Sequence, residues 1–252
     1  MRLRSPVSRK ALIASLILAS TVAMPLGAQS AYLTAQRAFT GDAFGVADSA
    51  ESSTPQTDES AIMRYLQPAL DAGTSVRLSY AASCNATSGF PPIPPIGLSA
   101  PSNRLTGVNA VRSIFDSDHN VVVTKGPDGI AKVSIGKVPT DLLRTRVALL
   151  RLQPIEQYNP GNAIDALEST KELKSAVKSL GLFVVAPLGI QLLYLPVPGD
   201  DAPHVPAVLH DVTIDQVLDL VAKTFRSVVT YGVCTSGPAP RSILISLISP
   251  SQ

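Results

Sequence analysis

The chain contains no tryptophan, and its other aromatic rings are few: six tyrosines and six phenylalanines in 252 residues. So few flat apolar faces disfavour a site that stacks sugar rings. Cysteine occurs only at Cys84 and Cys234, and there are three histidines. That is a poor supply of soft ligands for a structural zinc site. No dense Lys/Arg run follows Lys10, so the electrostatic footprint of a nucleic-acid binder is missing. Also missing are a Gly-x-Ser-x-Gly elbow, a phosphate loop and a dinucleotide fingerprint. Ser175-Ala176-Val177-Lys178 matches the Ser-x-x-Lys pattern of penicillin-recognising enzymes. Its companions, Ser-Asp-Asn and Lys-Thr-Gly, are absent, and Lys223-Thr224-Phe225 is a near miss. Ser175 and Lys178 therefore read as helix surface. No catalytic residue, cofactor site or metal site is assigned, and the expectation is of a protein that is not an enzyme.

What is present begins with a targeting segment. Arg2, Arg4, Arg9 and Lys10 precede the apolar run 11–24, and small residues follow at Gly27, Ala28 and Ser30. This is the order of a secretory signal peptide, assigned to 1–28, with cleavage after Ala28 or Ser30. The run falls short of the roughly 20 residues of a membrane span. No membrane span is expected after cleavage, and the protein is expected in the periplasm or secreted. The full chain has 21 basic and 19 acidic residues. The four bases of the signal peptide leave 17 against 19 in the mature chain, so the basic pI belongs largely to the leader. Residues 29–57 lack an apolar period and read as a flexible linker.

An even number of cysteines in an oxidising compartment favours a Cys84–Cys234 disulfide. Two free buried thiols are the alternative. Such a bond would tie the early part of the domain to the last hairpin. Asp116, Asp118 and His119 form one polar cluster, and Asp200, Asp201, His204, His210 and Asp211 form another on a loop. Solvated side chains explain both better than a metal does. Asn85-Ala86-Thr87 fits a glycosylation acceptor, relevant only in a host that uses it.

The best-defined stretch is 211–248. Thr213 and Gln216 have capping-box spacing, with Val212 and Val217 placed for a hydrophobic staple. Ile214, Val217, Leu218, Val221 and Phe225 make one apolar helical face, with Phe225 expected in the core. Val228-Val229-Thr230-Tyr231 and 241–248 read as the strands of a hairpin.

The same pattern occurs earlier. Thr106 is a candidate cap, Val108, Val111, Ile114 and Phe115 form a helical face, and 120–124 and 131–135 read as strands around the turn Gly126-Pro127-Asp128-Gly129. Cap and strand lie 15 residues apart in both copies, Thr106 to Val121 and Thr213 to Val228. Before each unit stand a helix, a strand and a proline-rich segment. In the first half these are a helix near 58–72, the alternating strand Val76-Arg77-Leu78-Ser79-Tyr80 and the prolines of 90–101, with 96–99 as a possible short edge strand. In the second they are one long helix over 162–180, a strand at 182–186 and the connection 187–206. Thr140 is read as the cap of a further helix bearing Leu142, Leu143, Val147 and Leu150. Pro154, Asn159, Pro160 and Gly161 mark the internal boundary.

Residues 213–225 with 228–231, and 120–141 with the junction Val138-Pro139-Thr140-Asp141-Leu142-Leu143, resemble the short α+β modules at the N-termini of secretins and TonB-dependent receptors of Gram-negative bacteria. The resemblance covers the two helix–hairpin units. Neither a β-barrel nor a secretin domain follows before Gln252, so the expectation is a free-standing periplasmic relative, and only protein–protein contact is carried over. The fold class is α+β, with two related helix–hairpin (βαββ-like) halves at 58–153 and 161–252 joined by proline-rich connections. The expected function is a non-catalytic periplasmic interaction module, accessory to a cell-envelope assembly, with another envelope protein as partner and no nucleic acid. The alternatives are a cell-wall-acting enzyme with an unrecognised site and a binder of a small ligand between the two halves.

Overall fold

The computed structural model describes residues 58–85, 89–102, 104–185 and 202–248. The signal peptide at 1–28, the linker at 29–57 and most of the second proline-rich connection lie outside the described residues. In chain order the elements are α1 (Glu59–Asp71), β1 (Val76–Ser83), α2 (Gly107–Phe115), β2 (Val121–Lys125), β3 (Ala131–Ile135), β4 (Arg146–Arg151), α3 (Pro154–Tyr158), α4 (Pro160–Glu168), α5 (Lys171–Ser179), β5 (Phe183–Val184), β6 (Val208–Thr213), α6 (Ile214–Phe225), β7 (Val228–Ser236) and β8 (Ser242–Ile248). The class is α+β.

Six strands form one sheet in the order β2-β3-β1-β7-β8-β5. The two hairpins, β2–β3 and β7–β8, are antiparallel. β1 lies between them, parallel to both β3 and β7, and β5 is parallel to β8. Hairpin strands followed by a parallel strand therefore appear twice along the sheet, as β2-β3-β1 and β7-β8-β5. Pairing of β1 with β7 joins the two groups.

Strand alternation sends successive side chains to opposite faces. On one face Val76, Leu78 and Tyr80 of β1 and Ala131, Val133 and Ile135 of β3 pack beneath α1 and α2, against Ile62, Leu66, Val111, Ile114 and Phe115. α1 is capped by Asp58, which accepts from the Ser60 amide, and the helix carries Pro68 inside its last turns. On the other face Val229, Tyr231 and Val233 of β7 and Ile243 and Ile245 of β8 meet Ile164, Leu167, Leu173, Ile214, Val217 and Leu218. These helices cover that face over β7 and β8. The corresponding positions on β1 and β3 are Arg77, Ser79, Lys132 and Ser134, and here the sheet stays polar.

Several local expectations need correction. The helix expected from Thr140 is a single 3-10 turn, Leu142–Arg144, followed by β4. β4 pairs with β6, so His210 and Asp211 lie on a strand rather than a loop. The misreading has a physical cause. Val147 and Leu150 are both buried, a helix-like spacing of three, because the β4–β6 ladder skips Ala148 and Asp211. Asp211 has φ +49, and this irregularity shifts which side of the strand faces inward. The long helix over 162–180 is two helices, α4 and α5. Thr170 ends the first by donating to the Leu167 carbonyl (2.7 Å) and caps the second by accepting from the Leu173 amide (3.4 Å). The strand expected over 182–186 shrinks to Phe183–Val184. Residues 96–99 form no strand, although the Ser99 amide donates to the Ile114 carbonyl. The proline-rich stretch is anchored by Tyr80, whose hydroxyl donates to the Pro91 carbonyl (3.1 Å), and by burial of Ile93. Phe225 is only half-buried at the edge of the core.

Cys84 follows β1 and Cys234 lies on the adjacent β7, with their Cα atoms 5.6 Å apart and the sulfurs at disulfide distance. Gly237, at φ +100, passes so close to the Cys84 backbone that any Cβ there would collide with the Cys84 carbonyl.

Candidate functional site

The polar patch of the sheet becomes a site through α6. Thr213 and Gln216 start this helix with a reciprocal cap: the Gln216 amide donates to Thr213 Oγ1 (3.2 Å), and the Thr213 amide donates to Gln216 Oε1 (2.8 Å). The apolar stripe of α6 sits over β7 and β8. Asp215 and Asp219, one turn apart on the same side, face β1 and β3.

Those strands present two cations in register, Arg77 opposite Lys132. Arg77 Nη1 lies 3.0 Å from Asp219 Oδ1 and donates to the Asp215 carbonyl at 3.1 Å, while Nη2 is 3.5 Å from Asp215 Oδ1. Lys132 Nζ bridges both acids, at 2.6 Å from Asp215 Oδ2 and 2.7 Å from Asp219 Oδ2. Two charges of each sign close into one cluster that binds the first half to the helix of the second. Arg77 is 2% exposed and Asp219 7%. Burial is the largest influence on both: it pushes the Asp219 carboxyl up and the Arg77 guanidinium down, despite the attraction between them. Desolvation of this kind offsets the attraction, so the buried Arg77–Asp219 contact adds little net stability over an apolar pair of the same size. Arg77 Nε is buried without a hydrogen-bond partner among the described residues.

Beside this cluster opens a cleft of about 520 Å³. Its floor is Arg77, Ser79, Lys132 and Ser134; Thr124 of β2 lies on one side, and Thr213, the N-cap of α6, with Asp215 of its first turn lies on another. The segment after β3 closes it with Gly136, Val138, Thr140, Leu143 and Arg144. Ser79 and Ser134 are opposed in the ladder, as Arg77 and Lys132 are. Among the described residues the hydroxyls of Ser79, Ser134 and Thr140 make no hydrogen bond, and Arg144 makes no ion pair. No hydroxyl of the cleft is hydrogen-bonded to a histidine or a carboxylate there. The volume is in the range of sites for small molecules, about 300–1,000 Å³.

Other residues singled out from the sequence lie elsewhere. Ser175 and Lys178 are exposed on α5. Asp118 accepts from the amides of Gly97 (3.1 Å) and Asn120 (2.9 Å), a local turn role. His204 packs against Tyr158 with ring centroids 5.2 Å apart, and Asp200 and Asp201 lie outside the described residues. Among the described residues no three His, Cys, Asp or Glu side chains gather where a metal could be held, and no helix is long and apolar enough to cross a membrane.

Sequence reading passed over the four cluster residues. Arg77 and Lys132 look like the solvent side of alternating strands. The available signal was Asp219, a charge between Leu218 and Leu220 inside the apolar helix stripe. No family model, no curated protein and no solved structure matches the chain.

Proposed function

We propose that this protein is an exported, non-catalytic binding module that takes a small polar ligand in the cleft between its two halves. The observation that carries the reading is the cleft itself. It is walled by strands of the first half and the helix start of the second, and its lining includes the Ser79, Ser134 and Thr140 hydroxyls and Arg144, whose side chains have no protein partner among the described residues. Export rests on the order of residues in 1–30 and is compatible with the cysteine pair at disulfide distance. The similarity of β2-β3-β1 to β7-β8-β5 supports two related halves.

A thermal-shift screen of amino acids, organic acids, sugars and short peptides tests the binding role, run in parallel on Ser134→Phe. The phenyl ring would fill the cleft from its half-buried floor on β3. Ligands that stabilise the wild type and not Ser134→Phe support the reading. Equal stabilisation of both proteins contradicts it.

A protein partner from the envelope is the second reading. It is favoured by the β4–β6 ribbon, where Leu149 and Val208 are exposed on a two-stranded sheet. Leu149→Glu with Val208→Glu should abolish recovery of any specific partner from envelope extracts. Undiminished recovery counts against the ribbon.

A further inference from the structure

The cleft's unmatched chemistry says which ligand class it takes. The ion cluster is balanced within itself, since Arg77 and Lys132 face Asp215 and Asp219. Arg144 stands outside that balance and leaves the cleft with one surplus positive charge. Beside it Ser79, Ser134 and Thr140 offer three hydroxyl donors without protein acceptors among the described residues.

A cationic ligand finds little here. Among the described residues the one carboxylate lining the cleft, Asp215, already receives Lys132 and Arg77. A guanidinium with adjacent hydroxyls instead matches the planar, acceptor-only edge of an oxyanion.

Resting on the binding role proposed above, we infer that the cleft recognises an oxyanion, a carboxylate or a phosphate, held by Arg144 and the Ser79, Ser134 and Thr140 hydroxyls. The balanced cluster beneath acts as a fixed floor, and Lys132, tied to both aspartates, contributes little free charge. Such a site discriminates by charge first, so its affinity falls with added salt.

The test is calorimetric titration of the mature protein at low ionic strength with four probes. They are inorganic phosphate, a dipeptide with a free C-terminal carboxylate, the same dipeptide as its C-terminal amide, and a neutral polyol. Wild type, Arg144→Gln and Ser134→Phe are compared, with melting curves to confirm that each variant is folded. The expected result is binding of phosphate or of the free-acid dipeptide but not of the amide or the polyol. Phosphate alone identifies a phosphate source, and the acid alone identifies a carboxylate source. Arg144→Gln should weaken that binding at least about tenfold, the worth of one charge-assisted hydrogen bond, and Ser134→Phe should abolish it. If the amide or the polyol binds as well as the acid and Ser134→Phe alone abolishes binding, the oxyanion inference is overturned while the cleft remains a ligand site. If no probe responds, the oxyanion inference is overturned; if Ser134→Phe leaves binding intact, both it and the cleft are overturned.

Discussion

Arg77 of β1 and Asp219 of α6 meet at 3.0 Å, 142 residues apart in sequence, and both are buried. This contact fixes how the helix of the second half crosses the sheet of the first. The two residues also exact a cost, because burial disfavours the charged form of each.

Asp219→Ala should therefore be severe. It leaves Arg77 buried with only its Asp215 contacts, and breaking one side of a buried pair costs about 3–5 kcal/mol. Replacing both residues, Arg77→Leu with Asp219→Leu, should cost far less than the sum of the single changes. Urea unfolding of the three variants checks this. A double variant as unstable as the two single changes added together would show that the pair is not coupled.

The cysteine pair should be a covalent bond in the protein recovered under non-reducing conditions. Peptides containing Cys84 and Cys234 should be recovered linked from the unreduced mature chain by mass spectrometry. Cys84→Ala with Cys234→Ala should lower stability by about 2–5 kcal/mol. Recovery of both cysteines as free thiols would contradict the bond.

Glu168 introduces a pH dependence. Its carboxyl is pushed up to about 7, first by burial and then by Asp165, and its Oε1 is buried without a partner among the described residues. In the unfolded chain a glutamate titrates at about 4.3. Between those values the folded protein holds a proton that the unfolded chain has lost, so stability falls as pH rises through this window and levels off above it. Glu168→Gln should flatten that part of the stability profile and raise the melting temperature at pH 8. An unchanged slope would assign the titration to another group.

Phe225→Ala measures how the end of α6 is packed. A fully buried phenylalanine would cost about 3–5 kcal/mol on truncation. Phe225 is half-buried, and the expected loss is about 1–3 kcal/mol by denaturant unfolding, scaled from that range. A loss above about 4 kcal/mol would mean that the ring is covered in solution.

The α+β class, the two hairpins and the helices that cap them were legible because each rests on local rules. Thr213 and Gln216 cap, Val76-Arg77-Leu78-Ser79-Tyr80 alternates, and Gly126-Pro127-Asp128-Gly129 turns. β4 was not legible. Its burial period is set by an irregular ladder with β6, and a long-range pairing leaves no local trace in Val147-Ala148-Leu149-Leu150. The break at Thr170 was available in principle, since a threonine followed by an acid in the next turn, Glu172, can cap a new helix. The cleft was beyond reach for a different reason. Arg77, Ser79, Lys132 and Ser134 obey the ordinary pattern for a solvated sheet face. Only the position of α6, which shelters β7 and β8 and stops beside β1, turns that face into a walled site.

The most direct test of the central claim is amide chemical-shift mapping of the mature protein, titrated with the compound that gives the largest thermal shift. The account predicts perturbations clustered at Ser79, Ser134, Thr140 and Arg144, with Leu149 and Val208 of the β4–β6 ribbon undisturbed. Perturbations centred on Leu149 and Val208, with the cleft amides unmoved, would contradict it.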